Sequence, residues 1–335
     1  MDAYVLGSAF LELSPKALSK RIRESNEFLG NAGGSATNTA VATSKLGLKV
    51  GLLSCIGDDE IGKKVLNDLR SYKVVTRNIR KVHGIRTGIS FYEYKGKKKV
   101  YYFYRFSGYS DPENYIVLDK KLASEVQSAR VFHFTEATIR KEERLKEVVG
   151  FVNKLRKKLV VVYDSNLRLD LWRSRRDAIN ASRKAIEISK VITMNEEEAK
   201  VIFESKTLAD VLRKMSKMGE KVFFIKRGSK GCLAHYGNKV YSVKAFKVKV
   251  IDDTGAGDCF SAGVIFGIVR GLSIGETATF SNAVAALKIS RAGGLGAIPN
   301  LNEVLSFLKR EGYEELAKKI VKLKTNFAEE LFPAS

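Results

Sequence analysis

The run Asp252-Asp253-Thr254-Gly255-Ala256-Gly257-Asp258 places three carboxylates, a hydroxyl and two glycines within seven positions. Before it, residues 246–251 alternate apolar and polar side chains, which predicts a strand; after it, residues 259–272 are apolar and free of proline, as in a buried helix. A glycine turn entering a helix leaves backbone N–H groups uncovered at the positive end of the helix dipole, where a phosphate or a developing anion can bind. Asp258 would then lie within hydrogen-bond reach of the bound group. A helix cap is the simpler alternative, since Asp is a preferred N-cap residue. A Walker loop is excluded because Gly-Lys-Ser/Thr is missing, and a dinucleotide fingerprint because Phe260 stands where a small residue is needed.

A second glycine pair opens another helix. Gly33-Gly34 is followed by Asn38 and by helical spacing over 41–46, with Gly47 as a stop. The choice is between turn plus cap and a set of amides, with Asn38, facing a polyol while Gly33 and Gly34 flex under a closing lid. Residues 4–13 read as a first strand with Glu12 near its C-terminal end, where ligands gather in open α/β sheets. Residues 86–107 change to a period of two, broken at Lys95-Gly96-Lys97, which predicts a hairpin.

The middle of the chain alternates strands (131–134, 159–163, 191–194, 222–225) with amphipathic helices, the pattern of right-handed βαβ units. Asp164, Asn166 and Arg168 leave one strand end at spacings of two, suited to a polar ligand, and a guanidinium there matches a carboxylate; Trp172 reads as core. Asn195 and Glu198 start a helix whose three glutamates the dipole alone explains. Lys226 precedes a glycine turn at Gly228 and Gly231 and could point to phosphates or to solvent. Asn282 lies on a helix over 278–289, a glycine-rich loop follows at 291–299, and 301–332 reads as charged amphipathic helix.

The whole chain of 335 residues, 44% hydrophobic, has ample material for a core. Cys55, Cys232 and Cys259 are widely spaced, which argues against a metal knuckle or a disulfide scaffold and fits a reduced, cytoplasmic setting. No cleavable leader or membrane span is expected. The formal charge of +22 raises nucleic acid as a partner. Cations are spread from Lys16 to Lys324, however, and the tract from Lys97 to Arg105 alternates like a hairpin, so nucleic-acid binding is disfavoured. An anionic substrate and a strongly charged surface account for the excess equally well.

Asp-Thr-Gly-Ala-Gly-Asp at 253–258 resembles the C-terminal signature of the ribokinase, or phosphofructokinase-B, carbohydrate kinases, and 30–62 resembles their N-terminal signature. The likeness covers about nine tenths of the chain. It implies a three-layer αβα fold around a mostly parallel sheet over 1–312, a small β-sheet lid from about 10–33 and 84–108, and a helical C-terminal extension at 313–335. It implies transfer of the ATP γ-phosphoryl group to a primary hydroxyl, with Asp258 as general base and the amides of Gly255, Ala256 and Gly257 as an anion hole. Glu12, Gly33, Gly34, Asn38, Asn166 and Arg168 would bind the acceptor. Tyr104-Arg105 is similar to a sugar-acid-binding pair of 2-keto-3-deoxygluconate kinases, although Ser90 stands where those enzymes tend to have Tyr. Asn195, Lys226, Gly228, Gly231, Gly257 and Asn282 would bind ATP; Lys226 replaces the usual Thr. Glu198 would act on Mg²⁺ through water, and Asp252 would be a ligand to a monovalent cation such as K⁺. A homodimer through the lid is a further implication. The acceptor expected first is 2-keto-3-deoxygluconate, then fructose. The alternatives are a nucleoside kinase and a non-enzymatic nucleic-acid-binding or regulatory protein on a kinase scaffold.

Overall fold

The computed structural model describes residues 1–17, 19–96, 98–104 and 115–323. Among them, nine strands form one sheet in the order Lys239–Val243, Cys232–Tyr236, Val222–Lys226, Val191–Asn195, Val160–Asp164, Val131–Thr135, Ala3–Leu6, Val50–Gly57, Ile79–Val82. The first two are joined antiparallel at one edge and the others run parallel. Strands buried on both faces must be apolar throughout, and the sequence Val-Val-Val-Tyr at 160–163 shows how the two faces divide. Val160 and Val162 belong to one hydrophobic core, with the helices Ser35–Lys45, Ala256–Arg270 and Ile274–Ile289. Val161 and Tyr163 belong to the other, with Glu142–Leu155, Arg175–Ile188 and Glu196–Ile202. The result is the expected three-layer αβα architecture.

Helix Ala256–Arg270 lies under the middle of the sheet because two glycines let its neighbour approach. A Cβ on Gly263 would stand 2.7 Å from Ser281 Cα, and one on Gly267 would stand 2.4 Å from Thr277 Oγ1. Gly267→Ala is therefore expected to overpack this contact and destabilise the fold by about 1–3 kcal/mol, read as a lowered thermal midpoint.

A second sheet, ordered Phe28–Gly33, Phe10–Pro15, Ile89–Lys95, Lys98–Tyr104, covers the C-terminal ends of the parallel strands. Its outer pairs are antiparallel and its central pair is parallel. The hairpin turns where expected. The single strand expected over 4–13 is instead two strands in different sheets, Ala3–Leu6 and Phe10–Pro15. Between them a Cβ on Gly7 would stand 2.7 Å from Ala36 Cβ, so the chain leaves the main sheet against the helix at that point. Glu12 consequently sits in the lid.

Residues 246–251 form no strand. Over 246–249 their alternation serves a helical surface: Phe246 packs edge-on against Phe307 and Tyr313, with ring centroids at 5.0 and 5.5 Å, while Lys247 and Lys249 face outward; Val250 and Ile251 are exposed. The expected helix over 301–332 is two helices, Leu301–Arg310 and Glu314–Lys322, broken at Gly312 with φ 86°. Residues 324–332 of that expectation lie outside the described residues. The three cysteines are buried thiols, and none is in a disulfide. No helix among the described residues is long and apolar enough to cross a membrane.

Candidate active site

Gly255, at φ 72°, is the N-cap of helix Ala256–Arg270, a left-handed conformation that glycine adopts at little cost. Asp258 is in the first turn and 9% exposed. It does not cap the helix. Its Oδ1 accepts from Ser35 Oγ at 2.6 Å and its Oδ2 from Asn38 Nδ2 at 2.8 Å. Both donors stand at the start of helix Ser35–Lys45, which is brought here by Gly34: φ is 109°, and a Cβ would strike the Ser8 carbonyl oxygen at 2.6 Å. Gly33 is equally confined, with the Glu12 Cβ 2.7 Å from where its own would be. Burial pushes the Asp258 carboxyl above the usual aspartate range, against the hydrogen bonds from Ser35 and Asn38 and the charge of Lys226, while Asp164 adds to the rise. That is the setting of a carboxylate made more basic by desolvation.

The Ala256 N–H donates to the Asp253 carbonyl at 3.2 Å, so it is not open to a ligand. The N–H groups of Gly255, Gly257 and Asp258 meet no acceptor among the described residues. They are three uncovered donors at the helix N-terminus, with the Asp258 amide in place of Ala256 of the expected set.

Lys226 turns inward, its side chain 18% exposed, with Nζ 3.1 Å from Asp164 Oδ1. A Cβ on Gly257 would lie 3.4 Å from that ammonium, which places it beside the uncovered helix N-terminus. Asp164 Oδ2 accepts from Ser261 Oγ at 2.8 Å, and Ser261 meets Thr193 at 3.0 Å. Burial works against both charges of the pair, yet their mutual attraction prevails: Asp164 stands below its ordinary pKa and Lys226 above. The ammonium is thus fixed and charged.

Asn195 caps helix Glu196–Ile202, its Oδ1 accepting from Glu198 N at 2.8 Å. Glu198 Oε2 accepts from Asn195 N at 2.8 Å and Ser165 Oγ at 2.6 Å, leaving Oε1 without a hydrogen bond among the described residues. Asn282 Nδ2 donates to the Lys244 carbonyl at 3.2 Å, so that amide secures the extended segment after Val243. Gly228 and Gly231 turn the chain at φ 55° and 88°, and a Cβ on Gly231 would collide with the Val243 carbonyl at 2.0 Å.

On the other side of Asp258 lies a cavity of about 400 Å³, the size of small-ligand sites. Glu12, Gly34, Asn38, Asn166, Arg168, Gly255 and Asp258 line it. So do Ser35, Tyr101, Phe103, Glu136 and Arg140, which sequence reasoning did not single out. Tyr104, expected here, projects from the opposite face of the lid: it is 60% exposed and packs edge-on with Phe91 at 5.5 Å. Period-two alternation puts Tyr101 and Phe103 on the face that Tyr104 cannot occupy, a signal that was available in the sequence. Arg105 lies outside the described residues. Asn166 has φ 32°, tolerated by Asn better than by most residues.

Glu136 is buried and held by Arg140, with contacts of 2.7 and 3.0 Å, and by Trp172 Nε1 at 2.9 Å. Trp172 is therefore more than core. Burial raises the Glu136 carboxyl, opposed by the Arg140 bonds. Arg168 is exposed at the cavity mouth and forms no salt bridge among the described residues.

A largely parallel sheet whose strand ends carry a buried carboxylate, uncovered amides at a helix N-terminus and a polar cavity under a small second sheet has the layout of a small-molecule kinase. Residues 2–301 match the pfkB family of carbohydrate kinases, and the chain belongs to that family. It is 29% identical over 293 residues to a sugar kinase of Pyrococcus horikoshii, covering 87% of this chain and 90% of that protein. The solved structure of that uncharacterised sugar kinase in complex with ATP superposes with a TM-score of 0.78, covering 96% of this chain and all (100%) of the other, at 25% identity. A 5-dehydro-2-deoxygluconokinase of Clostridium tetani is 25% identical over 332 residues, 96% of each chain. A Vibrio cholerae fructokinase solved with fructose, ADP and potassium shares the fold, with a TM-score of 0.79 over 92% of this chain and 98% of that one, at 20% identity.

Proposed function

We propose that this carbohydrate kinase transfers the γ-phosphoryl group of ATP to a primary hydroxyl of a sugar or sugar acid, 2-keto-3-deoxygluconate before fructose. The observation that carries the reading is the position of Asp258, buried between a polar cavity on one side and the Gly255–Asp258 amides with Lys226 on the other. The acceptor hydroxyl gives its proton to Asp258 as its oxygen bonds to the γ-phosphorus. The bond from that phosphorus to the bridging oxygen breaks, and ADP leaves with the electron pair. Ser35 and Asn38 hold the carboxylate so that its proton-accepting lone pair faces the cavity. The uncovered amides and the Lys226 ammonium stabilise charge on the transferring group. The lid excludes water, which would otherwise compete for the phosphoryl group. ATP as donor is supported by the complex of the Pyrococcus relative.

No cluster of three or more His, Cys, Asp or Glu side chains able to hold a metal occurs among the described residues. Magnesium would be carried on the nucleotide phosphates, neutralising their charge. The residue that fits it is Glu198, whose Oε1 faces no protein donor and could accept from a metal-bound water. A monovalent cation at Asp252 fits poorly, because a lysine ammonium stands beside its Oδ2.

Arg168 supports a carboxylate in the acceptor, since a guanidinium at the mouth of the cavity with no salt bridge among the described residues can bind both oxygens. Arg168→Ala is expected to reduce kcat/KM for the sugar acid by about 10- to 100-fold, the scale of one lost charge-assisted contact, and to leave fructose within a few-fold. ADP release from Mg-ATP over 2-keto-3-deoxygluconate, fructose, ribose, inositol and nucleosides tests the proposal. A nucleoside as best acceptor, or an equal loss for acid and neutral sugar in Arg168→Ala, would overturn the sugar-acid reading. A second copy docked on the outer lid face, where Tyr104 is exposed over a half-buried Phe91, is part of the proposal; sedimentation of the full chain tests it.

A further inference from the structure

Lys288 is the one lysine in the last turn of helix Ile274–Ile289, and its side chain is 2% exposed. Lysine is almost never buried to this degree without a partner. Its Nζ makes no hydrogen bond among the described residues, and it faces Asp252 Oδ2 at 3.8 Å. Asp252 is buried too, and that same Oδ2 has no hydrogen-bond donor. The other oxygen is fully committed: Oδ1 accepts from Thr254 N at 2.9 Å, from Thr254 Oγ1, and from Tyr94 OH at 2.7 Å, reaching across from the lid. The carboxylate is thereby held in one orientation with Oδ2 presented to a cation. The backbone of the same loop is fastened to the helix that carries the lysine, since Ile251 N and Asp252 N both donate to the Ile289 carbonyl, at 2.7 and 3.2 Å. Six residues on from Asp252 stands Asp258, and the open amides lie between them.

We infer that the Lys288 ammonium is a built-in monovalent cation for the Asp252 carboxylate, fixing the anion-binding loop without a bound metal ion. The resemblance that makes Asp252 a cation ligand meets here a side chain of the same charge as potassium, tethered at the carboxylate oxygen left open. A second positive ion at that oxygen would be repelled by the first within a poorly solvated pocket, and one carboxylate cannot neutralise both. Asp252 is kept below the ordinary aspartate range, burial opposing and Lys288, Thr254 and Tyr94 together outweighing it. The inference rests on the loop at 252–258 being the phosphate-binding loop of the proposed kinase.

The test compares the wild-type chain with Lys288→Met in potassium chloride and in tetramethylammonium chloride at equal ionic strength, reading both the thermal unfolding midpoint and the rate of ADP release. The wild type is expected to respond equally to the two salts in both measurements. In Lys288→Met the vacated place beside Asp252 should accept potassium, giving a saturable, potassium-specific rise in midpoint. Its rate should recover by on the order of tenfold, within the usual range for coupling between two sites. A merely structural ion pair would lose stability without that rescue. The double variant Asp252→Asn/Lys288→Met removes both charges and should fold without any potassium response. A saturable potassium-specific rise in the wild-type midpoint overturns the inference. So does a Lys288→Met chain that shows no potassium effect, or one that stays unfolded in potassium while the double variant folds. The midpoint readings decide the matter even if no sugar proves to be an acceptor, so a failure of the kinase assignment is distinguishable from a failure of this one.

Discussion

Asp258→Asn is expected to fold, to bind ATP, and to lose about 10² or more in kcat, the scale of a positioned general base. The amide can keep both hydrogen-bonding neighbours, Ser35 and Asn38, so the loss would be in proton acceptance. The pH dependence gives an independent check. A buried carboxyl whose pKa is raised is in its base form only above that raised value. Wild-type kcat/KM should therefore fall as pH drops through a point above the ordinary aspartate pKa of about 3.9, and the residual activity of Asp258→Asn should lack that limb. Turnover near the wild-type level in the variant, with unchanged nucleotide affinity, would remove Asp258 from the mechanism.

Lys226→Met is expected to cost a comparable amount, roughly 10²–10³ in kcat, as for a lost donor to developing charge. It also strands Asp164, 1% exposed, and breaking a buried pair from one side costs about 3–5 kcal/mol. Activity and stability must therefore be separated. The double variant Asp164→Asn/Lys226→Met should recover the thermal midpoint while staying slow. Because Lys226 helps hold the Asp258 pKa down, its removal should also move the acid limb of kcat/KM to higher pH. A double variant with restored stability and restored turnover would show that Lys226 serves only to balance Asp164.

Several parts of this arrangement were legible in the residues. The Gly-x-Gly turn before an apolar run read as the entry to a helix, with a cap and an uncovered set of amides both open, and the hairpin now seen over 89–104 followed from its period of two. Lys226 was not decidable: a lysine after an apolar strand reads the same whether it faces solvent or a buried carboxylate, and Asp164 lies 62 positions away. The resemblance implied ATP contacts for Asn195 and Asn282; in the structure Asn195 caps a helix and Asn282 holds a backbone carbonyl, contacts that the spacing along the chain did not reveal. Alternation at 246–251 suggests a strand because one-sided burial, here over 246–249, produces the same pattern against a helical surface as against a sheet.

By itself the sequence determined the class of chemistry through the resemblance carried by residues 253–258 and 30–62, because each signature is local: the geometry of a glycine turn and its aspartate depends on neighbours in the chain and on the helix they begin. Only the tertiary structure decided which charges meet. It sent Glu12 into the lid, turned Tyr104 away from the cavity while Tyr101 and Phe103 face it, and brought Ser35 and Asn38 onto Asp258 across more than two hundred residues. It also buried Lys288 beside Asp252. Such pairings are set by the packing of helices on a sheet, where a charge taken from water must find its partner in space; spacing along the chain carries no record of them.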